Sequence, residues 1–426
     1  VAADQSARKD FEGSDLIVAK EQTVSYGNPT LRFTHRTARV TVILTDYTEG
    51  MASVKLTGLS TENGNPAQII PYDKGNDTYT ALVAPQSVAT GTAFITCAFT
   101  NGKVFVYKMQ SDTHWQAGEE YTYTVSLAAA KDPGYTVSED GKTYEVYNAE
   151  GLKNIAELVN EEWKLDINIT LTNNIDLTGI DWTPIGKDDN KAYTGTFDGN
   201  GKTITGLTVT RSNRYTGLFG FIKGTVKNVV LTEVNITSGT FVGGVAGWSF
   251  GGNIENCSVS GSVSGSSGSD VGGVVGYQQV GSITGCSSSA TVKGTERAGG
   301  VVGVTNGGTT PLTACYATGN VTVENDGTSN AWAGGIVGMN GTGTLIACYA
   351  AGNVSGNIVG GAVGVNYATV TACYWSGLPD NDNGGATKVD GTTVTWQNAV
   401  DAMNNALNGS GWQYELTGAL PTLKKQ

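Results

Sequence analysis

The sequence predicts an all-β protein in two parts: an antiparallel β-sandwich, then a parallel β-solenoid with short helices in its capping segments. The main evidence is a G-x-x-G motif that recurs six times, in steps of 27, 29, 27, 35 and 26 residues. Its first glycines are Gly217, Gly244, Gly273, Gly300, Gly335 and Gly361. A fixed period of this size is typical of solenoids, whose coils bury apolar surface only against their neighbours. Before residue 128, by contrast, apolar residues alternate with polar ones without a helical period, as in strands.

Residues 1–128 are predicted to form the sandwich, with about seven strands. Val40, Val42 and Leu44 lie on one face of an early strand, and Tyr121 to Leu127 supply the last one. The segments 94–99 and 103–109 flank Asn101-Gly102, a dipeptide typical of a hairpin turn. The composition changes around Ala128 to Gly134, which indicates a linker over 129–140.

Residues 141–216 are predicted to lead into the solenoid and to cap its first coil. The stretch 148–163 has helical spacing, with Asn148 placed to cap the helix N-terminus. A strand follows at 169–177. The stretch 196–209 is predicted to be a hairpin around Asp198-Gly199-Asn200-Gly201.

The six coils span 217–377, with the right-handed crossover that is the default for parallel strands. Five coils carry a cysteine 12 to 15 residues after the first glycine of the motif. These are Cys257, Cys286, Cys315, Cys348 and Cys373. Stacked strands lie about 4.8 Å apart, whereas a disulfide brings its Cβ atoms to about 3.8 Å. We therefore expect a column of buried free thiols. A metal site is the alternative, but a single column lacks tetrahedral convergence.

Two further features complete this region. The glycine column, Gly244, Gly273, Gly300, Gly335 and Gly361, is expected to be structural, since glycine permits positive φ and close backbone approach. Residues 378–426 are expected to cap the far end, with a helix at 398–408 and a strand within 412–425. The stretch 380–385 resembles a calcium loop, but Gly391 stands where an EF-hand needs its glutamate, so a polar turn is favoured over an ion site.

Aromatic residues beside these columns are the candidate ligand-binding residues. Strand side chains alternate in direction, so neighbours of inward cysteines are expected to point outward. The candidates are Tyr316, Tyr349, Tyr374 and Trp375 after the cysteines, Trp248 and Tyr277 after the glycine motif, and Trp332 before it. An exposed aromatic stripe suits a sugar or a protein partner. The alternative is that these side chains pack beneath the C-terminal cap.

Charge and motifs exclude several classes of function. The net charge is −12 with no basic cluster, which disfavours nucleic acids and anionic membrane surfaces. No apolar run approaches 18 residues, so no transmembrane helix is predicted. Val1 opens a polar stretch, so any signal peptide is expected to have been removed or trimmed.

No catalytic signature is present either. His35 and His114 lie in the predicted sandwich, outside any known catalytic motif. Most carboxylates of the repeats stand at different offsets from the repeat glycine, and the two that share an offset, Asp270 and Asp326, lie two coils apart in units of unequal length, unlike a glycosidase pair. The repeat carboxylates are Glu233, Glu255, Asp270, Glu296, Glu324 and Asp326. We therefore expect no enzymatic activity, no cofactor and no metal.

Two families resemble parts of this chain. LTNNIDLTGIDWTPIG (171–186), GTFDGNGKTITGLTV (195–209) and YTGLFG (215–220) resemble proteins with the GLUG motif over 141–377. That resemblance implies a secreted or surface-attached bacterial β-solenoid without a defined catalytic role. LRFTHRTARVTVIL (31–44), YTALVAPQSVATGTAFI (79–95) and WQAGEEYTYTVSL (115–127) resemble fimbrillin-like domains of the Bacteroides group, which have transthyretin-like sandwiches.

The fimbrillin resemblance implies export as a lipoprotein and display on the outer membrane or in fimbriae, although the lipid-bearing cysteine is not part of this chain. The predicted function is a cell-surface adhesin or a fimbrial tip-type subunit. Its sandwich would attach to the cell or pilus, and its solenoid would bind a host or bacterial glycan or protein. Other fimbrial subunits are further candidate partners. The alternatives are a carbohydrate-binding or polysaccharide-processing surface β-helix, and a structural spacer.

Overall fold

The computed structural model describes the chain except for residues 24–25, 28–29, 48–49, 101–103, 129–132, 139, 211–213, 267, 309 and 325–330. It divides into two compact units, Val1–Asp132 and Pro133–Gln426. The first is a β-sandwich and the second a parallel β-solenoid of about eight turns, which confirms the predicted fold class.

Unit 1 has two main sheets. The first, in spatial order, contains Glu120–Ser126, Ala38–Thr45, Thr78–Val83 and Tyr72–Gly75, and the second contains Met51–Leu56, Ala93–Phe99 and Val104–Lys108. Two-strand pairs join Ile17–Val18 to Thr34–His35 and Gln86–Val88 to Thr113–Trp115. A helix, Arg8–Gly13, and a 3₁₀ turn, Glu62–Gly64, complete the described elements. The core holds Val40, Val42, Phe94 and Trp115, all with no exposed surface.

One pairing departs from the predicted antiparallel arrangement. Glu120–Ser126 runs parallel to Ala38–Thr45, while the other main-sheet pairs are antiparallel. The chain passes through the second sheet between these two strands, which supplies the long crossover connection that a parallel pair needs. The predicted Asn101-Gly102 turn lies outside the described residues.

Four stacks of strands build the solenoid. Face 1 contains Tyr135–Val137, Thr143–Val146, Asn168–Leu171, Thr196–Asp198, Thr225–Lys227, Asn253–Glu255, Ser282–Thr284, Leu312–Thr313, Leu345–Ile346 and Val370–Thr371. Face 2 contains Ile175–Asp176, Thr203–Thr205, Thr208–Val209, Val230–Ser238, Ser258–Gly265, Ser287–Ser288, Thr291–Gly294, Tyr316–Ala317, Val321–Val323, Tyr349–Ala350, Val354–Ser355, Tyr374–Trp375 and Thr387–Lys388.

Faces 3 and 4 flank the glycine motif. Face 3 contains Tyr215–Thr216, Phe241–Gly243, Asp270–Gly272, Arg297–Gly299, Trp332–Gly334 and Ile358–Gly360. Face 4 contains Phe219–Ile222, Ala246–Phe250, Val275–Gln279, Val302–Thr305, Val337–Asn340 and Val363–Asn366. One apolar core runs inside these faces from Tyr144 to Trp375. The helix Ala149–Asn160 contributes Leu152, Ile155 and Val159 to that core, and Asn148 accepts a hydrogen bond from the Gly151 N–H as expected.

The predicted hairpin at 196–209 is wrong. Thr196–Asp198 belongs to face 1 and Thr203–Thr205 to face 2, and each pairs in parallel with the next coil. Asp198 to Gly201 is therefore a corner of the coil, with Asn200 at a φ of 51°. A hairpin turn and a solenoid corner both need residues that tolerate positive φ, so the local sequence does not distinguish them.

The C-terminal residues form a helix, Trp396–Ala406, and an antiparallel pair, Trp412–Glu415 with Thr422–Lys425. We call residues 396–426 the flank segment. The sequence predicts a cap over residues 378–426, and the flank segment, the larger part of that stretch, packs along the side of face 2. Its Met403, Trp412 and Tyr414 share one apolar cluster with Ala314, Ala347 and Tyr349 of the coils.

Candidate functional site

The five solenoid cysteines lie inside the core as free thiols. Each thiol donates to the carbonyl oxygen two residues earlier, at 3.3 to 3.5 Å. The residue between carries a positive φ in every coil, so the thiol satisfies a carbonyl at the corner. Burial raises the pKa of Cys286, Cys315, Cys348 and Cys373 well above its ordinary value. These features fit structural thiols rather than nucleophiles.

The glycine column is a place of close backbone approach. A Cβ on Gly300 would lie 2.1 Å from the carbonyl oxygen of Gly335, and one on Gly335 would lie 2.2 Å from that of Gly361. Gly244 and Gly273 face the same restriction. These glycines do not have positive φ, so of the two expected reasons for glycine only close packing of successive coils applies.

The predicted exposed tyrosine stripe is covered by the flank segment. Tyr316 and Tyr349 stack with ring centroids 5.0 Å apart and planes within 3°. Tyr349 is 1% exposed, and its hydroxyl donates to the carbonyl oxygen of Pro421 at 2.6 Å. Tyr316 and Tyr374 are half-buried against the same cluster. The alternative, packing beneath the C-terminal segment, therefore describes this column.

The predicted stripe includes Trp375, but this side chain points inward. It is 5% exposed, and its indole lies against Gly361 and donates from Nε1 to the carbonyl oxygen of Pro379. It follows Cys373 by two residues, so strand alternation turns it to the same side as the cysteine. Earlier coils have Val259, Ser288, Ala317 and Ala350 at this position. The indole thus closes the last coil of the core.

The second aromatic group is packed against itself. The ring of Trp248 stacks on Phe221 with centroids 5.8 Å apart and approaches Tyr277 at a centroid distance of 4.4 Å. It also makes a T-shaped contact with Phe241 at 4.5 Å. Trp248 and Tyr277 are half-buried. Because neighbours occupy both ring faces of Trp248, the ring presents little flat surface for a ligand to stack on.

Trp332 lies on face 3 in register with Arg297 and Ile358, and it is half-buried. One coil earlier, Arg297 Nε approaches Asp270 Oδ1 at 2.5 Å, and Glu296 lies 3.3 Å from the same guanidinium. Asp270 is 1% exposed. Burial raises the pKa of its carboxyl to about 7, although Arg297 opposes the shift. Sequence offsets alone did not reveal this pair.

Among the described residues, the remaining repeat carboxylates Glu233, Glu255 and Glu324 lie apart from one another. Glu255 binds Lys425 at 2.6 Å and Glu324 binds Lys293 at 2.7 Å. Glu233 is exposed, at a bulge with a φ of 54°, and Asp326 lies outside the described residues. In unit 1, His35 Nδ1 lies 2.9 Å from Asp15, and His114 Nδ1 lies 2.9 Å from the Ser87 hydroxyl. Among the described residues no group of three or more His, Cys, Asp or Glu side chains is placed to hold a metal.

The calcium-like stretch 380–385 closes the last coil. Asp382 accepts four backbone N–H groups, from Ala362 and Val363 of the final glycine corner and from Gly384 and Ala386 of its own turn. The distances are 2.7 to 3.0 Å. Asp380 is paired with Lys388 instead. The carboxylate thus replaces the strand that a further coil would have supplied.

The described residues of unit 2 line a groove and a cleft. A groove of about 400 Å³ lies between the helix Ala149–Asn160 and residues 180–183, with Glu157, Glu161 and Asp181 among its lining. A cleft of about 140 Å³ lies on face 2 beside Trp412 and Leu423 of the flank segment, and none of the residues that line it is Asp, Glu, Lys, Arg or His. No helix in the described part of the chain is long and apolar enough to span a membrane.

These features define a β-sandwich joined to a repeat solenoid, and comparison with known proteins assigns both parts. Residues 1–141 match the fimbrillin-like family model, and residues 238–264 and 267–293 match the GLUG motif. The chain therefore carries a fimbrillin-like domain followed by GLUG repeats, which confirms both resemblances.

Similar proteins share parts of this architecture. Halomucin from Haloquadratum walsbyi is 30% identical over 227 residues, which is 51% of this chain and 2% of halomucin. A "Putative Gly-rich membrane protein" from Evansella cellulosilytica is 36% identical over 124 residues, 27% of this chain and 14% of that protein. The chain thus spans a small fraction of these relatives.

A crystal structure of a "putative immunoglobulin A1 protease" from Bacteroides ovatus aligns with 68% of this chain and 94% of its own. The TM-score is 0.53 at 20% identity, which shows a shared fold. The fimbrillin-like match supports an adhesin-type role at a cell surface.

Proposed function

We propose that this protein is a cell-surface adhesin or a fimbrial tip-type subunit. The observation that carries the proposal is the fimbrillin-like match of residues 1–141, joined in one chain to a GLUG solenoid. The sandwich attaches to the cell surface or to a pilus. The solenoid presents a binding surface to a host or bacterial glycan or protein, and other fimbrial subunits are its structural partners. The chain is displayed outside the outer membrane through a lipid anchor.

Adhesion is tested with the whole chain. Beads coated with the protein are expected to bind epithelial cells or matrix proteins more than albumin-coated beads do. Binding no greater than albumin across the cell and matrix panel contradicts the adhesin role. Immunogold labelling of producing cells tests the placement: label at pilus tips supports a tip subunit, and label along the whole shaft excludes it.

The same proposal assigns no catalytic role to the solenoid. Four of its carboxylates are already held by cations: Glu255, Asp270, Glu296 and Glu324. A glycosidase needs two carboxyl groups facing one substrate bond. Glu255 and Glu324 lie on different coils, and Asp270, which shares Arg297 with Glu296, is only 1% exposed. Release of soluble sugars from polysaccharide by the purified chain, lost in an Asp270→Asn variant, would overturn this part.

The covered tyrosine column favours a structural role for one part of the rod. The coils that carry Tyr349 and Tyr374 are covered on face 2 by the flank segment, and that surface is unavailable for a ligand. We therefore propose that these last coils act as a stiff spacer and that binding falls on the earlier coils. Substitutions that remove the exposed binding residues of the earlier coils should then abolish adhesion, although the number of coils stays the same.

A further inference from the structure

Two side-chain ladders run along face 2 and its corner, and they stop on either side of the same coil. From the C-terminal side, the tyrosine stack ends at Tyr316, because the next residue of that column is Ser287. From the N-terminal side, an asparagine ladder ends at Asn256, because the next corner residue is Gly285. The coil with Gly285 and Ser287 therefore continues neither ladder, and the 140 Å³ cleft lies there.

The asparagine ladder leaves one acceptor free. Asn228 donates to Asp198 at 2.9 Å, and Asn256 donates to the Oδ1 of Asn228 at 2.8 Å. Each amide oxygen in such a ladder accepts from the next coil. Gly285 has no side chain, so the Oδ1 of Asn256 has no hydrogen-bond partner within the described part of the chain.

The corner changes from asparagine to small residues because the flank segment covers it. A Cβ on Gly285 would lie 2.3 Å from the indole of Trp412. The next corners, Ala314 and Ala347, keep a positive φ and belong to the cluster with Met403 and Tyr414. An L-residue is strained at positive φ. Alanine at these corners therefore indicates that packing of the flank segment stabilises the protein more than the asparagine hydrogen bond would.

The tyrosine column leaves a ring face and hydroxyls free. Tyr349 covers one face of the Tyr316 ring, and the opposite face lies toward Ser287, whose side chain is too short to cover it. The hydroxyls of Tyr316, Ser287 and Ser258 make no hydrogen bond to a described protein group. The cleft thus combines an aromatic face with hydroxyl and amide groups, and none of the residues that line it is Asp, Glu, Lys, Arg or His.

The geometry points to a binding site for one neutral sugar residue in this cleft, stacked on Tyr316 and hydrogen-bonded by Asn256, Ser258 and Ser287. An apolar C–H face of a sugar packs on an aromatic ring, and its hydroxyls fit unpaired amide and hydroxyl groups. The volume lies well below the roughly 300–1,000 Å³ of drug-sized sites, so it suits a single ring. This inference rests on the adhesin proposal and names the ligand class for it.

The key variant is Ser287→Tyr, which extends the tyrosine stack by one coil and fills the cleft. Its matched control is Ser289→Tyr, because Ser289 is exposed two residues along the same chain and does not line the cleft. Ser258→Gln is a second variant that narrows the cleft with a smaller change. Thermal unfolding of each protein establishes that it is folded before binding is compared.

The probes are the methyl glycosides of galactose, glucose, mannose, N-acetylglucosamine and fucose, observed by saturation-transfer NMR with the whole chain. At least one is expected to bind the wild type and the Ser289→Tyr control, and to bind Ser287→Tyr and Ser258→Gln at least tenfold more weakly. Absence of binding by all five, or equal binding by Ser287→Tyr, overturns the site. If adhesion persists while no glycoside binds, the site is refuted and the adhesin role stands. If a glycoside binds but the protein does not adhere, the site is supported and the adhesin role is refuted.

Discussion

The hydroxyl of Tyr349 donates a hydrogen bond of 2.6 Å to the carbonyl oxygen of Pro421, 72 residues further along the chain. This contact fastens the flank segment to face 2. The ring of Tyr349 also makes T-shaped contacts with Trp396 and Tyr414, at centroid distances of 5.1 and 5.7 Å. One side chain therefore links the helix, the C-terminal strand pair and the coils.

Replacing Tyr349 is expected to destabilise unit 2. Tyr349→Phe loses the bond to Pro421 and should cost about 1 kcal/mol, whereas Tyr349→Ala also leaves a cavity and should cost about 3–5 kcal/mol. The measurement is urea unfolding followed by tryptophan fluorescence. Tyr367→Ala is the control, because Tyr367 is 67% exposed and its loss should change stability by less than about 0.5 kcal/mol. Equal losses in the two alanine variants would contradict the role of Tyr349.

Asp382 is expected to hold the open end of the solenoid without calcium. Asp382→Ala removes four charge-assisted bonds and should cost about 2–3 kcal/mol. The control is Asp380→Ala, whose side chain is 84% exposed and whose ion pair is worth about 0–1 kcal/mol. Neither calcium nor EDTA should move the unfolding midpoint of the wild type, since the Asp382 oxygens are already occupied. If calcium raised the unfolding midpoint of the wild type but not that of Asp382→Ala, the stretch would be an ion site instead.

The stacking of coils in the solenoid was predictable because the glycine motif repeats at a nearly constant interval along the sequence. The glycine steps locate the coils, and strand alternation places the cysteines inside. The same alternation, applied one residue further, would have turned Trp375 inward. The wrong hairpin prediction at Asp198 to Gly201 has a different cause. Residues that tolerate positive φ indicate a turn, but they do not indicate whether the two flanking strands pair with each other or with neighbouring coils.

The candidate site was less predictable, because it depends on what covers face 2. Periodicity places Tyr349 outward, and it does point outward, but the flank segment that buries it comes from a non-repeating part of the chain. One local signal was present. The corner column changes from Asn228 and Asn256 to Gly285 and Ala314, and this loss of the asparagine ladder marks the coils that the flank segment covers.

The solenoid thiols are expected to resist modification in the native protein. Each lies in the core, and burial raises the pKa of four of them, so the reactive thiolate is scarce. A thiol reagent at neutral pH should label them only after denaturant is added, when all six cysteines of the chain react. The measurement is mass spectrometry of native and denatured samples. Labelling of Cys315 at similar rates in both states would show that the core opens readily.

Asp270 should make stability depend on pH across the range from about 4 to 7. Its pKa is raised by burial to about 7 in the native protein, against an ordinary value of 3.8. Between these values the unfolded chain has lost the proton and the native state still holds it. The contribution of Asp270 to the free energy of unfolding is therefore fully present below about pH 4. It falls as pH rises toward 7, by up to about 1.4 kcal/mol per pH unit. Asp270→Asn cannot titrate and should lose this slope.

The comparison is made on slopes, because Asp270→Asn also removes one of the two carboxylates that contact Arg297, leaving Glu296, and so shifts the absolute stability. Urea unfolding at a series of pH values gives the free energy for the wild type, for Asp270→Asn and for Glu233→Gln. Glu233 is exposed, so its variant should retain the wild-type slope. If Asp270→Asn keeps that slope as well, then Arg297 holds the carboxylate ionised, and attraction between the two charges outweighs the cost of burying Asp270.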